Sequence, residues 1–147
     1  MVSTIEKHTH ALENLMFSAY IAGLVDGEGS LMMYTRMDSN GKYIQSNFEL
    51  SITNTHKRVL EEIHAFYGAG KVSLRSKATP THQAVYAYRI TKKSAIRTIV
   101  NDILPFLRIK LPQAVLMLEC LDIIKDSKQL IEHGETLKKM KRAYNAD

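Results

Sequence analysis

Residues 21–29 read IAGLVDGEG. Ile21 to Val25 has the composition of the end of a buried helix. It runs directly into Asp26 and Glu28, each followed by glycine. A helix C-terminus is the electronegative end of the helix dipole and disfavours acids. Two carboxylates placed there, in a chain of net charge +5, therefore call for a compensating partner. Upstream, Leu12, Leu15, Met16, Ala19, Tyr20 and Gly23 recur at three- and four-residue spacing. They form one stripe of a helix expected over about residues 10 to 26. Downstream the period becomes two. Phe48, Leu50 and Ile52 alternate with Gln45, Asn47, Glu49 and Ser51, as in a strand with one buried face. Asn40-Gly41 is a tight-turn signal, so SLMMYTRMD (30–38) and QSNFELSI (45–52) are expected to pair as a β-hairpin.

The remainder repeats this grammar. Val59, Leu60, Ile63, Phe66 and Tyr67 mark a second amphipathic helix stopped by Gly68. GAGKVSLRS (68–76) and AVYAYRIT (84–91) read as a second hairpin joined by KATPTHQ. GAGKVS resembles a phosphate loop only in composition, because the full G-x-x-x-x-G-K spacing is missing. Thr91 is a candidate cap for a third helix, Lys92 to Leu104, ending near Pro105. Pro112 suits the first turn of a fourth helix, about residues 112 to 125, which is apolar nearly all round and expected to be buried. A last helix over about 128–144 carries Leu130, Leu137, Met140 and Tyr144 beside Lys138, Lys139, Lys141 and Arg142. The order predicts an α+β fold, an antiparallel sheet with helices on one face. It forms a single domain over 1–147, with a core over about 10–125 and a C-terminal helix in 126–147.

The other face of such a sheet is free and polar. Ser30, Met32, Tyr34, Arg36 and Asp38 are its candidates on the first strand, and Gln45, Asn47, Glu49 and Ser51 on the second. Ser73, Arg75, Lys77, Tyr86 and Arg89 are candidates from the second hairpin. Donors and acceptors of both signs suit base-edge readout in a DNA major groove, where arginine matches guanine and glutamine or asparagine matches adenine. A plain solvated face is the competing reading.

Composition narrows the class. The 147 residues are 45% apolar and 24% charged, an ordinary globular balance. A positive net charge fits a polyanionic partner, and dimerisation doubles it. The single cysteine, Cys120, lies in the apolar run VLMLECLDII. That excludes a disulfide framework and a cysteine-rich zinc site, and it predicts a buried, inert thiol. The histidines show no metal-binding spacing, and His8 and His10 are expected near a frayed N-terminus. MVSTIEKHTH is not a secretory signal, and the apolar stretch Leu15 to Val25 is too short to span a bilayer. No nucleophile elbow or nucleotide fingerprint points to a small-molecule substrate. An intracellular, soluble protein without a membrane partner is expected.

YIAGLVDGEGS (20–30) resembles the signature of the LAGLIDADG homing endonucleases. It ends an amphipathic helix and directly precedes a hairpin. LPFLRIKLPQA (104–114) is similar to a segment of the small dimeric members that carries a basic residue into the active site. The likeness spans about residues 10–125, and one copy of the motif points to the homodimeric branch. Gly23 and Gly27, with Ala22 beside them, are small enough for two helix backbones to approach closely. Paired this way, two chains bring two Glu28 carboxylates together. Clustered carboxylates and helix-end carbonyls are hard oxygen ligands suited to Mg²⁺.

The resemblance implies a saddle-like sheet and a homodimer through the motif helix, with Ala22, Gly23, Asp26 and Gly27 at its interface. It implies a site-specific, intron-encoded endonuclease that cuts both strands of a long pseudo-palindromic duplex with Mg²⁺, Ca²⁺ supporting binding without cleavage. Glu28, where the family often has aspartate, and the Gly27 carbonyl are the implied metal ligands. Lys110, Asn54 and Arg58 join Glu28 as implied catalytic residues. Asparagine at 54 departs from the family's frequent glutamine and is equally a natural helix cap, and Lys57 competes with Arg58. Asp26 is implied to be structural, capping the partner helix or its loop. Arg108 is implied to face the DNA backbone. A non-cleaving nucleic-acid binder, such as an RNA maturase assisting splicing, is the alternative, and a degenerate dimer without catalysis the third option.

Overall fold

The computed structural model describes residues 3–37, 39, 44–122, 135, 136, 139 and 140, without the side chains at 35–37, 44 and 45. Among these, the chain runs α1 (Thr4–Glu28), β1 (Gly29–Met37), β2 (Ile44–Asn54), α2 (Lys57–Tyr67), β3 (Lys71–Ser76), β4 (Val85–Ile90), α3 (Lys93–Ile103) and α4 (Leu111–Asp122). A 3-10 turn, Leu104–Phe106, links the last two helices. Asp38, the Asn40-Gly41 turn and most of the expected C-terminal helix lie outside the described residues.

Helix α1 begins at Thr4, well before the expected residue 10. The cause is a capping box: the Ser3 hydroxyl accepts from the Glu6 N–H at 3.1 Å, and the Glu6 carboxylate accepts from the Ser3 N–H at 2.7 Å. Two N–H groups that helix geometry would leave unpaired are thereby satisfied. His8 and His10 accordingly sit within a formed helix and not in a frayed end. Helix α2 stops where Gly68 takes a left-handed φ of 64°, a conformation that costs a side-chain-bearing residue. Thr91 does not cap α3. The cap is Lys92, whose extended backbone lets its carbonyl accept from the Ile96 N–H at 3.0 Å.

The two hairpins join in one antiparallel sheet of order β1-β2-β4-β3. Leu31 faces Leu50, Met33 faces Phe48, and Ile52 and Leu50 face Tyr88 and Ile90. These residues form the buried face, and α1, α2 and α3 pack on it. Ile21 and Val25 of α1, Leu60 and Ile63 of α2, and Ile96, Ile99 and Ile103 of α3 are fully buried with them. Each such side chain stabilises the fold by about 1.5–3 kcal/mol relative to an exposed position. Helix α4 adds Ala114, Met117 and Cys120 to the core, although Leu111 and Val115 remain exposed. Arg97 of α3 ties α3 to α4, donating to the Asp122 carboxylate and, at 3.1 Å, to the Leu121 carbonyl. Burial pushes the Cys120 thiol up to about 11, with Glu119 adding to the rise, so it stays protonated and inert.

Candidate nucleic-acid interface and catalytic carboxylate

Successive helix residues are 100° apart, so Asp26 and Glu28 leave α1 in nearly opposite directions. Asp26 is only 8% exposed, whereas Glu28 is open to solvent. The buried acid is fully answered. Its Oδ2 accepts from the Arg108 N–H at 2.9 Å, and its Oδ1 accepts from the N–H groups of Ile109 and Lys110 at 3.2 and 2.9 Å. These amides lead into α4, whose N-terminal end carries positive dipole charge. Asp26 therefore caps α4 of its own chain and not a partner helix.

Lys110 returns the contact. Its Nζ donates to the carbonyls of Val25 and Asp26, both at 2.8 Å. An ammonium thus meets the electronegative end of α1, and an acid from α1 meets the electropositive end of α4. Lys110 thus reaches the C-terminal end of α1, within one turn of Glu28. The spacing of the LPFLRIK segment suggested the neighbourhood but not this carbonyl cradle.

Glu28 closes α1 and Gly29 opens β1 without a loop between them. A Cβ on Gly29 would lie 2.6 Å from the Cα and O of Val25, so only glycine permits this join. The Thr53 hydroxyl donates to the Glu28 carbonyl at 3.4 Å, which brings the end of β2 beside the motif. Thr53 was not anticipated; the two-residue period beyond Ser51 already put it on the outward face.

Several expected site residues lie elsewhere. Asn54 follows the parity of Ile52 and Leu50 and pairs with Tyr86, which places it on the helix-bearing side. Its Oδ1 accepts from the His56 N–H at 2.8 Å, an Asx turn leading into α2. Tyr86 shares that side, with the Lys57 ammonium 5.7 Å from its ring centre, so it is not on the open face. Arg58 is 82% exposed along α2 and pairs with Glu62 at 3.4 Å. Ala22 is fully buried in its own chain and presents nothing to a second one, and Asp26 is likewise turned inward. Gly23 and Gly27 are exposed, and a Cβ on either would meet nothing within 4 Å. They continue an uncovered apolar stripe: Leu12, Leu15, Met16 and Tyr20 are 49–65% exposed. Helix α1 thus has two apolar faces, one against the sheet and one open.

The outward face of the sheet carries Ser30, Met32 and Tyr34 on β1, Asn47, Glu49, Ser51 and Thr53 on β2, Arg89 on β4 and Lys71 and Ser73 on β3 by register. Arg36 and Gln45 are register partners toward the hairpin end. The Tyr34 hydroxyl donates to the Met32 sulfur at 3.0 Å, and Arg89 pairs with Glu49 at 3.8 Å. Arg75 sits at a bulge between Leu74 and Ser76, Lys77 lies just past β3, and Arg108 is exposed beside α4. Among the described residues, no group of three His, Cys, Asp or Glu side chains could hold a metal ion. The donors at the motif end are the Glu28 carboxylate and the α1 terminal carbonyls, a hard oxygen set that fits Mg²⁺ or Ca²⁺ once other oxygens join it. Among the described residues, no helix is long and apolar enough to cross a membrane.

One carboxylate-bearing helix end, set at the mouth of an antiparallel sheet with one open polar face, defines a single-motif α+β fold. The pattern of the family described as LAGLIDADG endonuclease matches residues 21–110, and the chain belongs to that family. Its fold is similar to that of the homing endonuclease I-CvuI, with a TM-score of 0.73 and 20% identity over 87% of this chain and 83% of that one. It is similar too to the archaeal intron-encoded homing endonuclease I-Vdi141I, at 0.69 and 21% over 85% and 84%. The homing endonuclease I-TnaI matches at 0.64 and 22%, over 86% and 97%. No curated protein matches the chain.

Proposed function

We propose that the chain is a homodimeric, divalent-metal-dependent endonuclease, encoded within an intron, that cuts both strands of a long pseudo-palindromic DNA duplex. The observation that carries this reading is the solvent-open Glu28 carboxylate at the end of a helix whose second apolar face is uncovered. Two copies joined along Leu12, Met16, Tyr20, Gly23 and Gly27 bring two such carboxylates to one twofold axis, one for each strand. I-CvuI was crystallised on DNA with Mg and with Ca, and I-Vdi141I on DNA, which supports a duplex target and a divalent metal here.

Glu28 and the Gly27 carbonyl are the residues that would hold the metal, and DNA phosphates complete the oxygen set. A bound divalent ion there would polarise the scissile phosphate and acidify a water. Lys110 holds positive charge at the same helix end, where negative charge develops on the phosphate. Asp26 fixes the bend before α4 that carries Lys110. The outer sheet face docks in the major groove, and Arg75, Lys77 and Arg108 neutralise phosphates.

Selection from a randomised duplex pool in Ca²⁺, followed by exchange into Mg²⁺, tests the whole reading. Staggered double-strand cuts in a pseudo-palindrome, absent for Glu28→Gln although that variant still binds, are expected. Enrichment without any cutting would overturn the nuclease assignment and turn attention to intron RNA.

A further inference from the structure

The open face of the sheet holds one ion pair among its described residues: the Arg89 Nε lies 3.8 Å from Glu49 Oε1. Arg89 is 52% exposed at its side chain, while Glu49 is only 17% exposed. A carboxylate on a face that enters a DNA groove carries a cost. It accepts hydrogen bonds but cannot donate, and it repels the backbone. It becomes useful when it aims an arginine. The register shows how. Arg89 on β4 faces Ser51 on β2 and Lys71 on β3. Lys71 is a like charge at the neighbouring position of β3, and Glu49, two residues along β2 from the short Ser51, is the opposite charge that Arg89 meets. With Glu49 beside Nε, the two terminal NH₂ groups remain as a fork of donors.

We infer that Glu49 positions Arg89 to read a guanine through its O6 and N7 atoms, making a G·C pair a fixed requirement of each half-site. This rests on the duplex-binding reading above. A planar, doubly donating fork set beside a carboxylate matches guanine's two adjacent major-groove acceptors, and no other base edge offers that pair. The row Ser30–Ser51–Arg89 lies about 7 Å along β1 from Glu28, and Arg89 about 10 Å across two strand spacings. The guanine therefore sits in the half of the half-site nearer the cut, and the twofold axis repeats it on the opposite strand.

The test is selection of bound duplexes in Ca²⁺ by the full chain, read by sequencing, together with the salt dependence of affinity on the winning site. The unsubstituted chain is expected to enrich G·C at one symmetric pair of positions. Arg89→Ala should flatten that pair alone, changing its preference on the order of tenfold or more. Glu49→Gln should weaken the same pair and no other, and Arg89→Lys should fail to restore it, because lysine lacks the fork. The slope of affinity against salt should be unchanged in each variant. A uniform loss of affinity with a shallower slope for Arg89→Ala would make Arg89 a phosphate contact and overturn the inference. Loss of the G·C preference in Glu49→Gln but not in Arg89→Ala would overturn it too, by assigning the readout to Glu49 and cytosine. If the unsubstituted chain enriches no sequence at all, the duplex-binding reading itself fails, an outcome distinct from both.

Discussion

Asp26 and Glu28, two residues apart in one motif, meet different surroundings because a helix turns them away from each other. Asp26 is buried and saturated by the backbone amides of Arg108, Ile109 and Lys110, while Lys110 Nζ binds the carbonyls of Val25 and Asp26. Hydrogen bonds to a charged acceptor contribute about 1.5–3 kcal/mol each, and burying unpaired amides costs a similar amount. Asp26→Ala should therefore lower stability by about 3 kcal/mol or more in urea unfolding. Asp26→Asn keeps Oδ1 and its two amides but turns a donor toward the Arg108 N–H, so it should cost less than the alanine change. In a double-mutant cycle with Lys110→Met, the two substitutions should couple by at least about 0.5 kcal/mol, since residues sharing one network do not add. Strict additivity would show that the two contacts are independent. Glu28 has no such duty in the chain, and Glu28→Gln should leave the unfolding midpoint unchanged while removing cleavage.

At the scale of elements, the join between α1 and β1 is a tight one. A methyl at Gly29 would stand 2.6 Å from the Val25 backbone. Gly29→Ala should displace the last turn of α1, costing about 1–3 kcal/mol as overpacking does, and should disturb Glu28 with it. A circular dichroism melt matching the parent would remove this steric account. Helix α4 supplies a pH signature. The Cys120 thiol, raised by burial to about 11 from an ordinary 9.0, holds its proton in the folded chain after the unfolded chain has lost it. The unfolded state then binds fewer protons, so stability falls as pH rises above 9 and levels off past 11. The Cys120→Ala variant should lose the thiol's share of that fall, on the order of 1 kcal/mol between pH 8 and 10. Equal losses in both proteins over this interval would place the alkaline sensitivity elsewhere, for example in Tyr88, which burial raises to about 12.

For the molecule as a whole, the decisive feature is the second apolar face of α1. Leu12, Leu15, Met16 and Tyr20 are exposed, and a Cβ at Gly23 meets nothing within 4 Å among the described residues. Gly23→Leu should thus leave the chain folded, since nothing in it opposes the side chain. It should block close helix approach and shift the sedimentation from dimer to monomer. Cleavage should fall with it, because one chain brings one Glu28. A dimer unaffected by leucine would place the interface elsewhere.

Much of this molecule was legible before any coordinates. The two-residue period around Phe48 and the three-to-four period around Leu60 require a strand and a helix, because only those geometries put the apolar residues on one face. The IAGLVDGEG stretch marked the end of α1, where the family pattern begins to match. What local pattern could not settle was direction. The S-x-x-E start of α1 was written in the chain, yet its stripe of Leu12, Met16 and Tyr20 reads alike whether it faces the sheet or a second chain. Asn54 and Tyr86 carry polar atoms at the end of strands, and only the pairing register shows them on the helix side. Ala22 is small, as an interface residue should be, and is buried in its own core. The Asp26–Lys110 exchange joins segments more than eighty residues apart. Periodicity acts over one element and so sets the elements themselves. Which face meets which neighbour depends on long-range packing, and that the tertiary structure alone decided.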